Sequence, residues 1–310
     1  MYFTARINSF ITDKSITVKD VLKKFSVIDG LTHVDLNYPE HFKNIPVDEM
    51  KQILQENGLK VHGLAMRYRD PYIYGAFCNK DPKVIENAIV LTYEAIDACA
   101  ELEGENVTVW LGYDGMEYAF QSDYVQQYKQ IIDSFKKVCA YGSKKGVKVS
   151  IEYKPYEPRA YSMIDSVGMA LHVIDDVGAD NLGLTLDYCH MLMKKENPAY
   201  GLALALDKNK VHAMHFNDGY GRNDDGMMIG SCSLMTMIEC IYYLKKYGYD
   251  GMIYFDTFPI REDATAECEQ NIKMFRLLCD KIDKYGVDNI TKVVHQNDAV
   301  AAMKMFTDML

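Results

Sequence analysis

Short runs rich in β-branched and aromatic residues alternate with longer stretches whose apolar residues recur every three to four positions. The alternation repeats eight times along the chain. The runs are FTARINSF, THVDLNY, KVHGLAM, NVTVWLG, KVSIEYK, NLGLTLD, KVHAMHFND and DGMIYFDTF. A helical pattern follows each one. After the fourth run, for example, Ile131, Ile132, Phe135, Val138 and Cys139 fall on one helical face. Gly58, Gly146, Gly178 and Gly248 close helical stretches, where a left-handed residue turns the chain towards the next strand. Strict alternation of strand and helix predicts a parallel sheet, and eight such units predict a (β/α)8 TIM barrel. An open doubly wound sheet would carry a glycine-rich phosphate turn after an early strand, and none is present. The barrel is expected over residues 1–287. Residues 288–310 are expected to form a C-terminal helical extension in which Ala299, Met303, Phe306, Met309 and Leu310 would give one apolar face. That face either covers the barrel or serves as the arm of an oligomer.

Composition narrows the class. With 310 residues, 48% of them hydrophobic and 12% aromatic, the chain can bury a large core and is not disordered. The 44 Asp and Glu against 34 Lys and Arg argue against a nucleic-acid partner, which needs cationic surface. No apolar run approaches the roughly 20 residues that cross a bilayer. The start, MYFTARINSFITDK, lacks a basic segment followed by an apolar one. The eight cysteines include no CxxC pair. These features lead us to expect a cytoplasmic protein with reduced thiols and no membrane partner.

The last residues of parallel barrel strands face the mouth of the barrel, where sites are built. The fifth to eighth runs place Glu152, Asp187, His215 and Asp256 there. Residues two apart share a face, so Ser150 goes with Glu152, Thr185 with Asp187, Ala213 with His215 and Tyr254 with Asp256. The alternate residues, among them Ile151, Leu186, Phe216 and Phe255, would pack against helices. Three carboxylates and an imidazole on adjacent strands need a divalent cation to offset their repulsion. This oxygen-rich set suits Mn²⁺, with Mg²⁺ or Co²⁺ as alternatives. His190 follows Asp187 by three residues, and Asp218, Asp224 and Asp225 lie in the loop HFNDGYGRNDDGMMIGS. They could hold a second cation bridged by Asp187, although such Asn, Asp and Gly clusters also form ordinary solvated turns. His62, His172 and His212 read as packing or surface residues.

The motifs carry a resemblance. IEYKPYEPRAY is very like the Glu-x-Lys-Pro-x-Glu-Pro-Arg segment of xylose isomerases and the Glu-Tyr-Lys-Pro form of the L-rhamnose isomerase type. VTVWLGYDG and YFDTFPIRED resemble further xylose isomerase segments, and HFNDGYGRNDDG resembles a rhamnose isomerase loop. YGAFCNKDPKVIENAI resembles a stretch that opens a helix in both groups. The resemblance implies that Glu152, Asp187, His215 and Asp256 hold one metal. It further implies that Asp187, His190, Asp224 and Asp225 hold a second, with the choice among Asp218, Asp224 and Asp225 open, so that each chain takes one or two cations. Lys154 matches the lysine that hydrogen-bonds the substrate's O1, and Trp110 the tryptophan that walls the sugar chain. Arg69 and Asp70 stand near the place of the family's ring-opening histidine, close to Phe77. Asp187 in place of Glu and His215 in place of Asp favour the rhamnose isomerase type.

The implied activity is aldose–ketose isomerisation of an unphosphorylated monosaccharide by metal-assisted hydride shift, in a homodimer or homotetramer. Lys154, Glu152, Asp187 and His190 would be catalytic; Trp110, Lys154, Arg69, Asp70 and Phe77 would bind substrate. A ketose 3-epimerase and a sugar lyase or dehydratase are alternatives on the same barrel, and a metal-dependent endonuclease is a more distant one.

Overall fold

The computed structural model describes residues 1–309; Leu310, which the sequence pattern assigns to the apolar face of the tail, lies outside them. Eight parallel strands make the barrel: Tyr2–Ala5, His33–Tyr38, Lys60–Met66, Asn106–Trp110, Lys148–Glu152, Leu182–Asp187, Val211–Phe216 and Met252–Phe255. They are called the first to eighth strands below. Neighbours in sequence are neighbours in space, and the eighth pairs with the first. Phe3 of the first strand bridges to Leu31, two residues before the second strand, which brings the sheet nearly to closure. This is the (β/α)8 barrel that the alternation predicts.

The helices are α1 (Val18–Phe25), α2 (Val47–Glu56), α3 (Pro82–Glu101), α4 (Tyr124–Lys145), α5 (Val167–Val177), α6 (Tyr188–Lys194), α7 (Pro198–Asp207), α8 (Leu234–Lys246), α9 (Ala264–Tyr285), α10 (Val287–Val294) and α11 (Ala299–Met309). Their starts are specified locally. Thr17 and Asp20 form a reciprocal capping box, and Asp81, Asp123, Ser166 and Asp263 each accept a hydrogen bond from the first turn of their helix. The helix α6, which the periodic pattern does not reveal, starts directly on the end of the sixth strand with Asp187 as its cap. Five of its seven residues are buried, so it has no polar face to give it a helical period.

The main core lies between sheet and helices. Ile151, Leu186, Phe216 and Phe255 are fully buried there against helical residues such as Phe135 and Phe275. The other strand face points into the barrel, where it builds a polar floor. Ser150 and Thr185 are 2.7 Å apart, and Thr108 reaches both, at 3.1 and 3.0 Å. Burying hydroxyls here costs little because each has a partner. The tail lies against α8 and α9, with Ile290 and Met309 joining the core and Tyr242 hydrogen-bonded to Thr291 at 2.8 Å. None of the helices among the described residues is long and apolar enough to cross a membrane.

Candidate active site

The parallel register sets the site. Trp110 pairs with Glu152 and Tyr254 with His215, and a register shift between Leu184 and Thr185 brings Asp187 level with His215. One candidate ligand atom from each of Glu152, Asp187, His215 and Asp256 lies within 4.8 Å of all the others. A second group, Asp187, His190 and Asp224, meets the same limit and shares Asp187. His190 is placed one helical turn beyond Asp187 because α6 begins there; its backbone N–H donates to Asp187 at 3.0 Å.

Within the first group His215 Nδ1 lies 3.3 Å from Glu152 and 3.8 Å from Asp187, and the ring stacks on Tyr254. Arg6 stands 3.3 Å from Asp256 and lies over the Phe258 ring. A Cβ at Gly226 would come within 2.3 Å of that ring, and its φ of +55° suits glycine. Asn217 donates to Asp187 at 3.1 Å and to the Asp256 carbonyl at 3.2 Å, which orients both carboxylate-bearing segments. Within the second group Asp224 accepts from Lys154 at 3.0 Å and lies 3.3 Å from His190 Nε2. Lys154 is also 3.0 Å from Glu157.

Four buried carboxylates share this space, and their protonation reflects it. Burial pushes the Asp187 carboxyl up to about 6 against the pull of His190. Burial likewise raises Asp256, with Arg6 opposing. At Glu152 burial works the same way, but the charge of His215 overcomes it and holds the group at about 2. Burial opposes charge on both imidazoles, yet Asp187 and Asp224 lift His190, and Glu152 lifts His215, to about 9. Two protons on histidine thus take the part that two cations would play. The side chains fit cations well: His190 Nδ1, His215 Nδ1, Asp224 Oδ1 and Asp256 Oδ1 are all buried without a hydrogen-bond partner. Orphaned buried donors and acceptors of this kind cost about 1–3 kcal/mol each.

A pH prediction follows for the metal-free protein. The unfolded chain releases the histidine protons near 6.5, the folded chain near 9. The folded state therefore binds more protons in that interval, so this stabilisation is complete below about 6.5 and is lost as pH rises through about 9. Metal ligation displaces those protons. We expect the Tm of chelator-treated protein to fall between pH 6.5 and 9, and that of Mn²⁺-loaded protein to hold. Parallel melting curves in the two states would contradict this.

The remaining sequence candidates divide. Trp110 and Lys154 line the cavity, whose volume is about 130 Å³. The Trp110 indole packs close against Gly112, where a Cβ would meet it at 2.2 Å. Asp225 stays outside the second group: its carboxylate accepts from the Tyr220 N–H at 2.8 Å, turned away from Asp224. Asp218 is fully buried and accepts from Cys232 N–H, Ser233 N–H and the Ser233 hydroxyl, which fixes the loop before α8. Arg69 and Asp70 are exposed and away from the cavity, because the chain has turned outward there; Arg69 faces Glu40 at 3.8 Å. Phe77 is fully buried on Tyr68 and Phe135, drawn inward where Asp114 binds the N–H groups of residues 76–78. In their place the wall uses Arg6, Asp35, Asn37, Arg67, Tyr254 and Phe258. His62 is buried and pairs with Asp35 at 2.9 Å; His172 is at the surface.

A nearly closed parallel barrel with a carboxylate and imidazole cluster at the C-terminal ends of its strands defines a class of enzyme scaffold, and residues 27–287 match the family model described as xylose isomerase-like TIM barrel. The chain belongs to that family. It is 30% identical over 239 residues to the xylose isomerase of Thermus thermophilus, an alignment covering 75% of this chain and 61% of that protein. The chain thus spans under two thirds of that relative's length. Among solved structures it is similar to a D-tagatose 3-epimerase-like protein, with a TM-score of 0.73, 17% identity and coverage of 92% and 99% of the two chains. A D-allulose 3-epimerase from Methylomonas sp. superposes with a TM-score of 0.72 at 16% identity, covering 89% of this chain and 96% of its own. At these identities the solved structures show that the fold is shared.

Proposed function

We propose that the protein interconverts an aldose and a ketose, both unphosphorylated monosaccharides, using divalent cations. The supporting observation is the sharing of Asp187 between two adjoining ligand groups, because a pair of neighbouring cations serves the two neighbouring oxygens of an aldose–ketose pair. Glu152, Asp187, His215 and Asp256 would hold one cation, and Asp187, His190 and Asp224 the other. The donor set suits Mn²⁺, with Mg²⁺ and Co²⁺ next. When bound, the cations lower the cost of negative charge on the substrate's O1 and O2. Lys154, held by Asp224 and Glu157, donates to O1 as hydrogen passes between C1 and C2 of the open-chain sugar. Trp110 offers an apolar face to the C–H edges and excludes water. Asn217 and Arg6 keep the Asp187 and Asp256 carboxylates oriented.

Ketose 3-epimerisation is the second reading. Glu152 and Asp256, from the fifth and eighth strands, would be its carboxylate pair across C3. It ranks lower because Asp256 is a methylene shorter than Glu and faces Arg6, and because the second ligand group would then have no use. Turnover of an aldose and ketose panel in D₂O by Mn²⁺-loaded protein separates the two. We expect an aldose–ketose product with little solvent deuterium; a product carrying deuterium at C3 would replace the isomerase with the epimerase.

A further inference from the structure

Nearly every charge on the cavity wall has a partner of opposite sign. Arg6 faces Asp256 at 3.3 Å, Lys154 faces Asp224 at 3.0 Å, His215 faces Glu152 at 3.3 Å, His190 faces Asp224 at 3.3 Å, and Asp35 is paired with His62 at 2.9 Å. Arg67 remains. Among the described residues it is the one cation on the wall with no carboxylate within ion-pair distance, and its Nε is buried without any hydrogen-bond partner. Its backbone is fixed, since Arg67 N–H donates to the Tyr38 carbonyl at 2.8 Å directly after the third strand. A guanidinium on a cavity wall with no carboxylate paired to it is costly for the free protein, and an anion entering the cavity would supply that partner.

We propose that Arg67 is the anchor for a carboxylate on the substrate, so that the preferred sugars are acids of the uronate class rather than neutral monosaccharides. This rests on the sugar-converting reading above and adds the substrate class to it. The order of strands around the barrel sets the polarity of binding. The two ligand groups occupy the fifth to eighth strands, Trp110 ends the fourth, and Arg67 follows the third. A sugar with its carbonyl end at the ligand groups runs past the indole and brings its far end to Arg67. A planar guanidinium matches the two oxygens of a carboxylate. Divalent cations on the four ligand carboxylates would also leave Arg6 and Lys154 less fully neutralised, which adds to the pull on an anion.

The test uses full-length Mn²⁺-loaded protein, Arg67→Gln and Arg67→Lys, with melting curves to verify folding. Turnover is measured on aldohexoses, the matching hexuronates and the matching 6-phosphates. Calorimetry is run in parallel with galactonate and galactitol, which have no aldehyde or ketone to react. The expected result is a hexuronate preference of about 10- to 100-fold in kcat/KM over the neutral parent, carried mainly by KM. In Arg67→Gln that preference falls towards one, Arg67→Lys recovers part of it, and galactonate binding weakens with it. Turnover with no acid preference, or an equal loss for acid and neutral sugars in Arg67→Gln, overturns the anchor and leaves the sugar-converting function standing. A preference for the 6-phosphates overturns the carboxylate. Arg67-dependent galactonate binding without turnover of any sugar would uphold the anchor and defeat the proposed reaction; absence of both defeats both.

Discussion

Asp187→Asn is expected to remove most bound divalent metal and to lower turnover by about a thousandfold or more. Asp187 is the residue common to both ligand groups, and it is fully buried. Breaking a buried charge pair on one side costs about 3–5 kcal/mol, because the partner charges stay behind uncompensated. Here the loss would fall on both candidate ligand groups together. The fold should survive. Asn keeps an oxygen for the N–H of His190, so the cap of α6 is retained, and it is isosteric with Asp. In the absence of metal the variant is relieved of burying the Asp187 carboxylate but gives up the charge that lifts His190 and the acceptor for Asn217, so its stability at neutral pH should stay near that of the parent and vary less between pH 6.5 and 9. The sign of that relief is fixed by the raised Asp187 value: the folded chain takes up a proton between about 3.8 and about 6, and ionisation above that window costs stability. Elemental analysis, turnover and melting curves on one preparation check this. A variant that keeps its metal and its turnover would show that the shared carboxylate is not a ligand.

The same residue shows why so much of the site was readable in the chain. Strand periodicity is exactly two residues, so once Ile151, Leu186 and Phe216 are assigned to the helix-facing side, Glu152, Asp187 and His215 must point inward. The barrel then places all strand ends at one mouth. Applied to the first four strands, the same rule would have pointed to Arg6, Asn37, Arg67 and Trp110, of which only Trp110 stood out as sequence. Metal-competent residue types drew attention to one half of the barrel, and the cationic half carried no comparable motif.

Loops obeyed other rules. Asp224 and Asp225 are adjacent in a turn, and their side chains diverge; which one enters the second group depends on the backbone around Gly219 and Tyr220, a tertiary matter. Phe77 was expected near substrate, yet Asp114, from a loop 37 residues further along, ties its segment into the core. Arg69 lies only two residues beyond Arg67, and the chain has by then left the cavity. Hydrophobic patterning specifies elements and faces, whereas the path of an irregular segment is set by partners distant in sequence.

Lys154→Met is expected to lower kcat/KM by about 10²–10³-fold while the metal content stays that of the parent. Losing one donor aimed at developing oxyanion charge has an effect of this size in water-excluded sites. The loss should appear in kcat, because the ammonium interacts most strongly when O1 carries charge and less with the neutral carbonyl. Lys154 is not in either ligand group, and Met preserves most of its length and apolar stem. Its removal frees Asp224 from a 3.0 Å ion pair, so the second cation should bind at least as well as before. Lys154→Arg would keep the charge but put a larger planar group where a compact donor is needed, and it should recover little. The outcome also bears on the reaction. Proton transfer at C3 between Glu152 and Asp256 makes no demand on a donor at O1, so a variant with unchanged turnover and full metal would count against hydride shift and for the epimerase. A variant that loses metal along with turnover would instead make Lys154 a structural support of the second group.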